Sequence, residues 1–125
     1  MTTILLVEDE AQQRETLTMV FEVEGYSITA VASAEDGLNN LAKLKPDMII
    51  TDVKLTGMDG FSFFDEVRKR SDLKKIPFVF ITGYNDPKAI NTVKNLGAVA
   101  YVTKPYEIEE LLHVVKQNLS KTLIA

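Results

Sequence analysis

Five times along this chain a short apolar run gives way to an amphipathic stretch, and that alternation rules out most architectures. Ile4 to Val7 reads as a strand, and Ala11 to Val23 as a helix burying Leu17, Val20 and Phe21 before Gly25 stops it. Ser27 to Val31 alternates as a second strand. Ser33 caps the next helix, with Asp36 three residues on, and Pro46 follows its end before Met48 to Thr51 forms a third strand. Asp59 can cap a helix carrying Phe61, Phe64 and Val67, after which Pro77 opens a fourth strand, Phe78 to Thr82. Asp86-Pro87 is a cap with proline at the first helical position, leading Ala89, Ile90, Val93 and Leu96 to a break at Gly97. Ala100 to Thr103 is the fifth strand, and Ile108, Leu111, Leu112, Val115 and Leu119 mark one face of a last helix. Five strands joined by helical crossovers imply an α/β, doubly wound parallel sheet with five helices covering both faces.

Composition narrows the function classes. A length of 125 residues suits one domain, with 46% hydrophobic and 26% charged residues as in ordinary globular chains. Without cysteine, neither disulfides nor a thiolate metal site can form. A net charge of -4 gives no electrostatic footprint for nucleic acid, so no direct nucleic-acid binding is expected. No basic leader precedes the apolar run that starts the chain, and no stretch approaches the roughly 18 apolar residues of a membrane span. The expectation is a cytoplasmic domain without membrane insertion.

In an open parallel sheet, ligands bind beyond the carboxyl ends of the strands. Those ends carry Glu8-Asp9, Asp52, Thr82-Gly83 and Thr103-Lys104-Pro105. Each acid alone could simply terminate a strand in water. Together they conflict: two like charges about 4 Å apart repel by roughly 4 kcal/mol at an effective dielectric of 20, a large share of a small domain's stability. Lys104 offers one compensating charge. A divalent, oxygen-seeking ion such as Mg²⁺ offers two, and one or two carboxylates typically hold it.

With these residues in view, the chain from about Thr3 to Leu119 resembles a response-regulator receiver domain, the phosphoacceptor module of two-component signalling. Five elements match in order and spacing: Glu8-Asp9, Asp52 at the end of an apolar strand, Met58-Asp59-Gly60, Thr82-Gly83, and Gly97-Ala98 through Tyr101 to Lys104-Pro105. The resemblance implies a flavodoxin-like sheet in the order 2-1-3-4-5, with residues 1–125 forming a single receiver domain. It implies that Asp52 takes a phosphoryl group from a histidine kinase or histidine phosphotransfer protein. Glu8, Asp9, Asp52 and the backbone carbonyl of Lys54 would bind Mg²⁺, while Lys104 and Thr82 would meet phosphoryl oxygens beside the small Gly83. Lys104-Pro105 would be a cis peptide aiming the lysine inward. Tyr101 would turn from exposed toward buried as a switch, remodelling a partner surface made by the fourth helix, fifth strand and fifth helix for a downstream protein or fused output domain. Lys54 and Tyr84 would tune the lifetime of the phosphate. The chain would catalyse only its own phosphorylation and slow dephosphorylation.

Other features have simpler readings. His113 has no second histidine to pair with and reads as solvated; Phe61, Phe63 and Phe64 read as core; Arg68-Lys69-Arg70 reads as a solvated helix end complementing the dipole. Receivers often have proline where this chain has Thr56, which is expected to loosen the loop after Asp52, and a better cap where it has Glu107. A phosphatase of the aspartate-nucleophile kind usually has an acid where Lys54 stands. A flavin carrier would not place Val7-Glu8-Asp9-Glu10 against a flavin phosphate. A pseudo-receiver that only binds partners would have lost part of the set present here.

Overall fold

The computed structural model describes residues 1–83, 85–97 and 99–124, with Val99 and residues 121–124 described by backbone alone. Its strands are β1 (Thr3–Val7), β2 (Ser27–Val31), β3 (Met48–Asp52), β4 (Phe78–Gly83) and β5 (Val99–Lys104). Its helices are α1 (Ala11–Val23), α2 (Ala34–Leu41), α3 (Gly60–Arg68), α4 (Pro87–Leu96) and α5 (Ile108–Ile124). All strand pairs are parallel, in the order β2-β1-β3-β4-β5. This is the doubly wound order that the resemblance implies, and it puts the reversal between β1 and β3, the two strands that end in acids.

Strand alternation divides the core in two. Leu5, Val7, Ile49, Phe78 and Phe80 face one layer, packed by α2, α3 and α4 through Leu41, Phe63, Val67 and Val93. Ile4, Leu6, Met48, Ile50, Val79, Ile81 and Val102 face the other, packed by α1 and α5 through Leu17, Phe21, Leu111 and Val115. A sheet buried on both faces explains why the strands read as nearly unbroken apolar runs. The aromatic residues of α3 meet those of β4: Phe64 lies edge-on to Phe78 at 4.9 Å between ring centroids, and Phe61 is tilted against Phe80 at 5.3 Å.

The expected caps form. Ser33 Oγ accepts from the Asp36 amide, Asp59 Oδ1 from Ser62 and Asp86 Oδ1 from Ala89. Val20, Ile90 and Leu96 are half-buried rather than core. The short 3-10 turn Ser71–Leu73, which buries Leu73, was not expected, because three residues carry no periodicity to read. The basic run after α3 is also not the free helix end expected. Arg68 stacks over Phe64 at 4.6 Å and donates to the Leu73 and Ile76 carbonyls, while Arg70 donates to the Leu41 carbonyl and pairs with Asp72. Arg68 satisfies backbone carbonyls on the path from α3 to β4 and Arg70 one at the end of α2, which a solvated lysine would do poorly. No described helix is long and apolar enough to cross a membrane. His113 is exposed.

Candidate functional site

The apolar residues of β3 hold it between β1 and β4, and this register sets Asp52 opposite Ile81 at the sheet's carboxyl edge. There Asp52 and Glu8 are almost wholly buried, at 4% and 1% exposure, while Asp9 beside them is exposed. One carboxylate oxygen from each of Glu8, Asp9 and Asp52 lies within 4.8 Å of the others. Lys104 reaches in from the end of β5, with Nζ 3.2 Å from Asp52 Oδ2 and 3.6 Å from Glu8 Oε1. The Lys104-Pro105 peptide bond is cis.

Electrostatics at this edge are unbalanced. Burial first, then hydrogen bonding and repulsion from Glu8, push the Asp52 carboxyl from its ordinary 3.8 up to about 8, despite the opposing pull of Lys104. Burial works against the Lys104 charge too, but attraction to Asp52 and Glu8 outweighs it and leaves the ammonium above the usual lysine value. One cation therefore does not neutralise two buried carboxylates.

Three buried oxygens at this edge, Glu8 Oε1, Asp52 Oδ1 and Thr82 Oγ1, have no hydrogen-bond partner among the described residues. Glu8 Oε1 has the 3.6 Å ion pair with Lys104 but no hydrogen bond, and a buried oxygen left without one costs roughly 1–3 kcal/mol, so the convergence of the three suits a site made for a ligand. The chemistry of the set is specific. Two carboxylate oxygens call for a cation, and a hydroxyl can donate to an anion's oxygen. The residues thus fit a hard divalent ion together with an oxyanion.

Asp52, Lys54, Thr82, Gly83, Asp86 and Lys104 line a crevice of about 180 Å³. It shares Lys54 and Asp86 with a wider groove lined also by Leu55, Phe61 and Ala89. Gly83 sits at the rim, where an added Cβ would come within 3.0 Å of Asn85 Oδ1. Tyr101 is half-buried against the core layer shared with α2, α3 and α4, opposite Phe80 in register. Tyr84 lies outside the described residues.

Several residues support the site in ways that the motif pattern does not reveal. Gly60 begins α3, and a Cβ there would lie 2.2 Å from the Asp52 carbonyl oxygen, so only glycine lets the helix start against the strand end. Arg14 Nη1 donates to the Glu8 carbonyl at 2.9 Å, and Gln13 Nε2 donates to the Tyr106 hydroxyl across α1 and the start of α5. Thr56 does not loosen the loop after Asp52. Its amide and its hydroxyl both donate to Asp9 Oδ2, at 3.2 and 3.3 Å. Such a clasp leaves no mark on sequence periodicity.

Residues 4–116 match the response regulator receiver domain family. The chain is 34% identical over 118 residues to sporulation initiation phosphotransferase F of Bacillus subtilis, covering 93% of this chain and 92% of that protein. It is 35% identical over 123 residues to the transcriptional regulatory protein YkoG of the same organism, covering 95% of this chain but 53% of the relative. It thus spans about half the length of several curated relatives and nearly all of another. Among known structures, a response regulator from Chloroflexus aurantiacus superposes with a TM-score of 0.89 at 34% identity, over 95% of this chain and 98% of that one. The chemotaxis response regulator CheY4 of Vibrio cholerae superposes with a TM-score of 0.87 at 29% identity, over 94% and 98%.

Proposed function

Because the chain belongs to the response regulator receiver domain family, we propose that its Asp52 accepts a phosphoryl group from the phosphohistidine of a sensor kinase or phosphotransfer protein. The observation that carries this reading is the convergence of unmatched Glu8, Asp52 and Thr82 oxygens beside Lys104 in one crevice. An Asp52 carboxylate oxygen attacks phosphorus, the P–N bond to the donor imidazole breaks, and the imidazole keeps the electron pair and takes up a proton. A carboxylate is a weak nucleophile, so positioning and charge compensation supply the rate. Lys104 pairs with one phosphoryl oxygen, and the Thr82 hydroxyl donates to another beside Gly83. Glu8, Asp9, Asp52 and the Lys54 carbonyl would hold Mg²⁺, which when bound supplies positive charge against these carboxylates and the phosphoryl oxygens.

The added charge draws Thr82 inward and biases the domain toward an active conformer, with Tyr101 turning from its half-buried position toward the core. The surface of α4, β5 and α5 then changes for a downstream protein or output domain. Residues 1–125 act as one receiver domain. Lys54, exposed where the crevice meets the wider groove, and Tyr84, two residues beyond Thr82, tune the lifetime of the phosphate by controlling water.

The test is incubation with Mg²⁺ and acetyl phosphate followed by intact mass. The expected result is one added phosphate in the native chain and none in Asp52→Asn. No addition to the native chain would instead favour a pseudo-receiver that only binds partners. Phosphate-loss rates in Lys54→Ala and Tyr84→Ala test the lifetime roles, since a tenfold change needs only about 1.4 kcal/mol in the barrier.

A further inference from the structure

Besides Asp52 at the end of β3, two loops supply the residues that would hold the cation: the one after β1, carrying Glu8 and Asp9, and the one after β3, carrying Lys54. Glu8 is buried and held in place, but Asp9 is exposed on a short loop, where an unrestrained carboxylate would sample several rotamers. Thr56 removes that freedom. Its amide and hydroxyl converge on the same oxygen, Oδ2, which restrains the carboxylate and leaves Oδ1 without a hydrogen bond among the described residues.

The loop that presents Thr56 is itself anchored from another side. Glu35, at the start of α2, accepts the Met58 amide through Oε2 at 3.2 Å. Between the two anchor points Gly57 has φ +82°, and a Cβ there would come within 2.9 Å of Glu35 Oε2. The left-handed turn at Gly57 lets the Thr56 amide serve Asp9 while the Met58 amide serves Glu35. The clasp on Asp9 therefore belongs to a loop already held by α2.

We infer that Thr56 is a positioning residue for the cation site, acting through Asp9. The inference rests on the Mg²⁺ reading above. A proline at this position would have neither the amide hydrogen nor the hydroxyl, so the departure from the proline often found in receivers gives this chain a contact that such chains lack. Outer hydrogen bonds that orient a ligand are typically worth 10–100-fold in metal affinity; the lower end is expected here because Asp9 is exposed.

The experiment is calorimetric titration of Mg²⁺ into the unphosphorylated chain, a readout independent of phosphoryl transfer. Thr56→Val, which keeps the amide and loses the hydroxyl, is expected to weaken binding about tenfold, with Thr56→Ser restoring it. In an Asp9→Ala background, Thr56→Val is expected to add nothing, because the residue it acts through is gone. Unchanged affinity in Thr56→Val, or an equal loss with and without Asp9, would overturn the inference while leaving the cation site standing. Absence of Mg²⁺ binding to the native chain, or native affinity in Asp9→Ala, would overturn the site reading and this inference together.

Discussion

Asp52 is held in the fold at a cost that its own ionisation sets. With the carboxyl raised from 3.8 to about 8, the unfolded chain releases the Asp52 proton at a lower pH than the folded one. Between those values stability contributed by the neutral form is lost as pH rises, and below about pH 4 it is fully present. Asp52→Asn should therefore raise the metal-free unfolding free energy at pH 7 by up to about 4 kcal/mol, with the gain shrinking toward pH 4 in urea melts. A gain that did not depend on pH would mean that something other than ionisation is relieved. Thr82 leads to a second expectation. Its buried hydroxyl has no partner among the described residues, so Thr82→Val, which keeps the shape, should leave the melting temperature unchanged or raise it by a few degrees. The same variant should blunt the response to phosphorylation, read as a change in the Tyr101 environment by NMR.

Among the elements, α3 is the one whose start is fixed by the site. Gly60→Ala would drive a methyl group into the Asp52 carbonyl, so it should destabilise the chain by more than about 2 kcal/mol in chemical denaturation, whereas Gly→Ala at an open helix position stabilises by about 0.5–1 kcal/mol. Most elements were legible in the sequence because each combines a period, a cap and a stop. Ser33, Asp59 and Asp86 are read as caps and cap. The strand ends were less legible. β3, β4 and β5 run on through Asp52, Gly83 and Lys104, one residue past the expected ends, because a charged residue or a glycine interrupts the apolar run without ending the pairing. The site's residue types could be read from the strand ends. Their supports could not, since Thr56 on Asp9, Glu35 on Met58 and Arg70 on the Leu41 carbonyl are contacts between segments far apart in sequence.

For the molecule as a whole, ligand and stability are linked. If the acidic edge takes Mg²⁺ in the folded state alone, a concentration a hundred times the dissociation constant should stabilise the chain by about 2.7 kcal/mol, and chelation should reverse it. Thermal melts with Mg²⁺ and with EDTA measure this, and Asp9→Ala should reduce the shift. The sheet also has a further role as a partition. In the strand alternation, Glu8, Asp52 and Lys104 fall on the side of α1 and α5, whereas Thr82 and Tyr101 fall on the side of α2, α3 and α4. A wall of close-packed apolar side chains separates these two sets, and Asp52 and Lys104 come within reach of Thr82 only around the wall's end, at the crevice. Mild core substitutions on opposite sides of that wall should therefore add independently, while paired changes at its open end should not.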